Sequence, residues 1–175
     1  INQASHDLNV QVKGAVKDLL VQNKLVGLVG GDHSTPLGAI HALSEHVETF
    51  GVLHIDAHLD MRLSYQGFTH SHASVMYQAS KLPQITTFTQ VGMRDFSSNE
   101  IQLTSQTPER YHQFLDSDIH TQLYHGKAWS DICRSIIATL PQHLYISLDI
   151  DGLSPFYCPN TGTPVPGGLD FNQIM

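Results

Sequence analysis

The chain has 175 residues, 41% of them hydrophobic, and a net charge of −7 with histidine neutral. That length suits about one domain with a sizeable core, and the hydrophobic content excludes a disordered chain. No apolar run approaches the ~18–20 residues of a membrane span, no basic run offers itself to a phosphate backbone, and the acidic field suits a small cation or a metal ion.

Apolar residues at spacings of three and four predict a first helix over roughly Asp7–Asn23. The run Leu25–Val29 reads as a strand. Thr35 as N-cap and Pro36 at the first helical position mark a second helix. Phe50–Ile55, Thr86–Met93 and Leu144–Leu148 read as three further strands, and His72–Ala79 and Trp129–Leu140 as two further helices. Strands alternating with helices predict an α/β fold, a mainly parallel sheet covered on both faces. No linker or low-complexity tract divides the chain, so residues 1–175 read as a single domain. Cys133 and Cys158 lack Cys-x-x-Cys spacing, which excludes a disulfide framework or zinc ribbon and points to a reducing, cytoplasmic setting. Cys133 falls in an apolar helical pattern and reads as core.

In parallel sheets ligands gather beyond the carboxyl ends of the strands. The loops after the four runs cover residues 30–36, 56–72, 94–99 and 149–168, and three of them hold the densest His and Asp clusters. Gly30-Gly31-Asp32-His33-Ser34 follows a strand and opens a helix, bringing His33 over the sheet edge; a simple capping arrangement is the plainer alternative. In His54-Ile55-Asp56-Ala57-His58-Leu59-Asp60, side chains two apart on an extended backbone share a face, which would bring Asp56, His58 and Asp60 together; a solvated loop with accidental alternation is the plainer alternative. Such a trio is costly to bury without a cation. Asp149 and Asp151 interrupt an apolar strand on one face and repel unless they share a proton or flank a metal.

His33, Asp56, His58, Asp60, Asp149 and Asp151 together form an oxygen and nitrogen donor set without thiolate. The set is too rich for one ion and suits two, about 3.5–4 Å apart, with Mn²⁺ favoured by ligand type and Fe, Co and Zn open. Other templates fit poorly. No dinucleotide fingerprint is present, Gly126-Lys127 lacks a phosphate loop's spacing, and His41, Glu45 and His46 read as an exposed helix face.

These segments resemble the ureohydrolase family, the arginases and agmatinases. The family markers Gly-Gly-Asp-His-Ser, Asp-Ala-His-x-Asp, Ser-x-Asp-x-Asp and Thr-Gly-Thr-Pro stand here as Gly30–Ser34, Asp56–Asp60, Ser147–Asp151 and Thr161–Pro164, in the family's order. The resemblance implies an arginase-like three-layer α/β/α fold and a binuclear-manganese hydrolase that releases urea from a small cationic guanidino substrate. By the same resemblance, His33 and Asp60 complete one manganese site, His58 and Asp151 the other, and Asp56 and Asp149 bridge both. A shared hydroxide attacks the guanidinium carbon. Asp60 orients it and helps move its proton, and Ser71-His72-Ala73 matches the family's Ser-His-Gly, making His72 the proton shuttle with His70 its rival.

Some positions depart from the family pattern. Ser154 replaces the usual Asp before proline, and Cys158 and Asn160 replace a small residue and Gly, changes that bear on loop shape. Residues 61–71 lack the Asn- and Thr-rich stretch with which arginases hold an α-carboxylate, which tilts the expected substrate toward agmatine or another decarboxylated guanidine. The family's guanidinium-anchoring acid, and a strand that sits beside the one leading to His33, lie downstream of Met175. The chain is therefore expected to be the interior of a longer protein lacking N- and C-terminal portions, and family members commonly form trimers or hexamers. Arginase and formiminoglutamase activity remain alternatives, as do a metal-binding homologue without turnover and, on a related fold, a single-zinc deacetylase.

Overall fold

The structure is a computed structural model that describes residues 2–175. The chain forms two compact units interleaved in sequence: residues up to Phe50 with Asp60–Thr86, and Gly51–Leu59 with Thr87–Met175. Among the described residues no helix is long and apolar enough to cross a membrane.

The first unit holds α1 (Asn2–Leu20), α2 (Leu37–Ser44) and α3 (Val75–Ser80). Helix α1 begins five residues before the start read from the sequence, because its opening residues are polar and carry no apolar period to detect. Helix α2 is short and almost wholly buried. It crosses α1 so closely that Asn9 Oδ1 accepts the Gly38 amide at 2.8 Å, and a Cβ at Gly38 would press into the Asn9 carbonyl oxygen. Glu45, just past α2, takes Lys13 at 2.5 Å and Lys17 at 3.0 Å from α1. The N-cap of α2 is Pro36 rather than Thr35, and the Thr35 hydroxyl donates to the Asp32 carbonyl at 2.9 Å.

One expected strand is absent. Residues 24–30 form no regular element, and Leu25 and Val29 lie fully exposed. An apolar run extends into a strand only where a neighbour supplies the ladder for its amides and carbonyls, and no strand among the described residues does so for this one.

The sheet comprises β1 (Phe50–Ile55), β2 (Ile85–Met93), β3 (Tyr111–Leu115) and β4 (Leu144–Leu148) in the order β3-β2-β1-β4. The β1–β4 and β2–β3 pairs are parallel, with Ile55 opposite Leu148 and Phe88 opposite Tyr111. Helices α4 (Ser98–Thr104), α5 (Asp116–Tyr124), α6 (Trp129–Ile137) and α7 (Phe171–Ile174) complete the second unit. Its core joins Val91, Ile119, Ile132, Ile136 and Leu169, flanked by Leu53, Ile55 and Phe114. Helix α6 turns Ile132 and Ile136 inward, so Cys133, about 100° further round the helix, is half-buried and not a core residue.

Candidate metal centre

In the first unit, the turn after residue 30 carries His33 to Asp60, Nδ1 to Oδ2 at 2.8 Å, with the two side chains 8% and 6% exposed. Asp60 has φ +52, a left-handed conformation that Asp tolerates better than most residues. The extended alternation read for residues 56–60 therefore ends at Asp60, where the chain turns. The Asp60 carbonyl accepts the Met76 and Tyr77 amides at 3.1 Å each, which ties this turn to the start of α3. Burial works to raise the Asp32 carboxyl. Hydrogen bonds from Ser34 and the charges of His72 and His33 outweigh it and hold the group below its ordinary value.

The two rival histidines diverge. His72 lies edge-on to Tyr65, centroids 5.4 Å apart, and is near enough to act on the Asp32 carboxylate. His70 turns to α1, its ring 6.4 Å from that of His6.

In the second unit, Asp56 and His58 leave the carboxyl end of β1. The Asp56 amide donates to Val91 at 3.2 Å, next to a β2 bulge at Gly92, whose φ of +89 no β-branched residue would adopt easily. Gly152 brings the turn after β4 onto the same backbone, where an added Cβ would stand 3.0 Å from the Asp56 nitrogen. This close approach sets Asp151 beside Asp56. The half-buried Asp149 accepts the Asp151 amide at 3.1 Å and so caps the Ile150–Gly152 turn.

Asp56, His58 and Asp151 offer ligand atoms that all lie within 4.8 Å of one another. His58 Nδ1 is 3.3 Å from Asp56 Oδ1 and 3.3 Å from Asp151 Oδ2. The His58 amide donates to Asp56 Oδ1 at 2.7 Å, and the Ala57 amide to Asp151 Oδ1 at 3.2 Å. Burial opposes a charged His58, but hydrogen bonds to Asp151 and Asp56, with their charges, raise its pKa to about 10. Two buried carboxylates on one imidazole call for a cation, and this hard-to-borderline donor set fits Mn²⁺ or a similar divalent ion. Without a metal, a proton on His58 supplies the positive charge.

His54 is a residue that sequence reasoning passed over. Wholly buried, it sets Nε2 2.8 Å from Asp56 Oδ2. Its Nδ1 lies 3.3 Å from Gln90 Nε2, which also donates to the Leu59 carbonyl at 3.2 Å. Gln113 Nε2 in turn donates to Gln90 Oε1 at 3.3 Å and to Thr104 Oγ1 at 3.1 Å. This polar chain through β1, β2 and β3 steadies Asp56 from beneath, as outer partners of ligating carboxylates do. The signal was present: His54 and Asp56 are two apart and share a strand face.

The sequence profile of the arginase family matches residues 2–175. The chain is 35% identical over 152 residues to N(1)-aminopropylagmatine ureohydrolase of Thermus thermophilus, covering 87% of this chain and 48% of that protein. It is 26% identical to Arginase-1 of Oryctolagus cuniculus, covering 94% of this chain and 56% of that one. The chain thus spans about half the length of these curated relatives. The crystal structure of arginase from Bacillus cereus superposes with a TM-score of 0.84 at 23% identity, covering 98% of this chain and 62% of that chain. Agmatine ureohydrolase of Thermoplasma volcanium superposes at 0.77 with 26% identity, covering 97% and 54%. The architecture is the three-layer α/β/α arginase-like fold expected from the sequence.

Proposed function

Because the chain belongs to the arginase family, we propose that it carries the metal-holding part of a ureohydrolase that releases urea from a guanidino compound. The convergence of Asp56, His58 and Asp151 carries this reading. In this reading His33 and Asp60 would hold one manganese ion and His58 and Asp151 the other, with Asp56 and Asp149 completing the donor set. The His33–Asp60 approach at 2.8 Å supports the first assignment.

Two manganese ions held there would supply a water-derived nucleophile near neutral pH. The chain's own residues do the rest. Asp60, its carbonyl fixed to α3, orients the nucleophile toward the guanidinium carbon and carries a proton toward the leaving amine. His72, beside the Asp32–His33 turn, exchanges that proton with solvent, a placement that favours it over His70 against α1.

The substrate in this reading is agmatine or another decarboxylated guanidine. Residues 61–71 offer no Asn- and Thr-rich stretch for an α-carboxylate, and the named relative with 35% identity is an aminopropylagmatine ureohydrolase. The same reading takes the protein as a cytoplasmic homo-oligomer, a trimer or hexamer.

The test is urea or ammonia release from agmatine, N(1)-aminopropylagmatine, arginine, guanidinobutyrate and formiminoglutamate by the full-length protein, stripped of metal and then reloaded with Mn²⁺, Fe²⁺, Co²⁺ or Zn²⁺. Urea from a decarboxylated guanidine with two Mn²⁺ per chain is the expected result. Preference for arginine or formiminoglutamate would replace the substrate assignment, and full turnover without metal would overturn the mechanism.

A further inference from the structure

Arg94 stands two residues beyond the β2 bulge, and no step above uses it. Its half-buried guanidinium spends its N–H groups on main-chain carbonyls. Nη2 donates to Asp151 at 2.6 Å, to Leu153 at 3.2 Å and to Val165 at 3.1 Å. Nε donates to Val165 at 3.2 Å and Nη1 to Gly92 at 3.1 Å. One side chain therefore ties together the bulge, the turn that bears Asp151 and the loop that follows Thr161–Pro164. A planar fork of five donors suits that task, and a lysine ammonium, a point charge with three, does not reproduce it.

The surroundings are shaped to the guanidinium. Asp116 balances its charge and accepts the Gly168 amide at 3.0 Å. Gly167 and Gly168 pass by with φ of +99 and +92. A Cβ on Gly167 would fall 2.6 Å from Asp116 Oδ2, and one on Gly168 2.8 Å from Arg94 Nη2. The loop returning past the cluster is thus wrapped on the Arg94–Asp116 pair.

Asp151 is held from both ends in consequence. Arg94 takes its carbonyl, while its carboxylate receives the Ala57 amide at 3.2 Å and the Thr163 hydroxyl at 3.5 Å. Thr163 lies two residues from Val165, whose carbonyl Arg94 bonds twice. We infer that Arg94 is a positioning residue for the second metal, setting the Asp151 carboxylate and the Thr163 hydroxyl in register by gathering the carbonyls of both loops. Resting on the two-metal reading above, this assigns Arg94 no contact with substrate or metal.

The experiment is calorimetric Mn²⁺ titration of the metal-stripped full-length protein, with electron paramagnetic resonance to distinguish an isolated ion from a spin-coupled pair. Wild type is expected to bind two ions and show the coupled pair. Arg94→Lys is expected to bind one ion unchanged and the other roughly tenfold to a hundredfold more weakly, giving the isolated-ion spectrum where wild type gives the pair. Arg94→Ala should move further the same way; if it does not fold, Arg94→Lys decides alone. Two ions held by Arg94→Lys with wild-type affinity, or both weakened alike, overturns the inference while leaving the two-metal reading intact. A wild type that binds no second ion overturns that reading, and this inference with it.

Discussion

Between two buried carboxylates, His58 keeps its proton up to about pH 10 as long as no metal displaces it. Its folded pKa lies above the ordinary value of 6.5, so the stability it contributes is full below about 6.5 and is lost as pH rises through about 10. The melting temperature of the metal-stripped protein should therefore fall across that window, and His58→Gln should flatten the fall. If His58 ligates a metal as proposed, binding expels the same proton and should strengthen as pH rises. In the proposed mechanism Asp149 holds the metal and His72 uses it, and two variants test that division. Asp149→Ala should lose metal and activity together, by metal analysis and urea assay. His72→Ala should keep its metal and lose roughly 10²–10⁴ in turnover, the usual worth of a proton-transfer group. The approach of Asp56, His58 and Asp151 was legible at this scale because donor chemistry is local: like His33 and Asp60, they stand in short motifs with recognisable spacing. Arg94 was not, since an arginine bonding to carbonyls looks unremarkable along the chain; His54 was overlooked although its spacing from Asp56 is visible.

The elements show a similar division. The β-branched cores of β1, β2 and β4 announced themselves, whereas β3 reads Tyr-His-Gln-Phe-Leu with all five positions half-buried and has little period to detect. Helix α4 carried an overlooked signal, since Ser97 and Glu100 form a capping box whose Ser-x-x-Glu spacing is visible in the sequence. Leu25–Val29 failed for the opposite reason: its residues suit a strand, but propensity supplies no neighbour to pair with. The α1–α2 crossing yields a prediction that belongs to this scale. Gly38→Ala must move the Asn9 carbonyl aside, an overpacking that should cost about 1–3 kcal/mol. Denaturant unfolding measures it, and metal ligation within the Asp56–His58–Asp151 cluster should be unaffected.

On the proposed reading, the whole chain's net charge of −7 would attract a cationic guanidino substrate before any contact forms. Electrostatic steering of this kind raises encounter rates and fades as salt shortens the Debye length from about 30 Å at 0.01 M to about 8 Å at 0.15 M. The kcat/KM for a guanidino substrate should fall across that range with kcat nearly constant; a flat profile would deny the field a role. The sequence by itself determined the α/β alternation and the family, and it pointed to a donor set, because side-chain chemistry and motif spacing are properties of neighbours in the chain. Only the tertiary structure decided that Ala57 meets Asp151 across 94 positions, that His72 and not His70 sits by the Asp32 turn, and that Arg94 binds two loops. The first and last of those depend on parallel register, on the Gly92 bulge and on close backbone approach at Gly152, and each is settled by residues far apart in the chain competing for the same space.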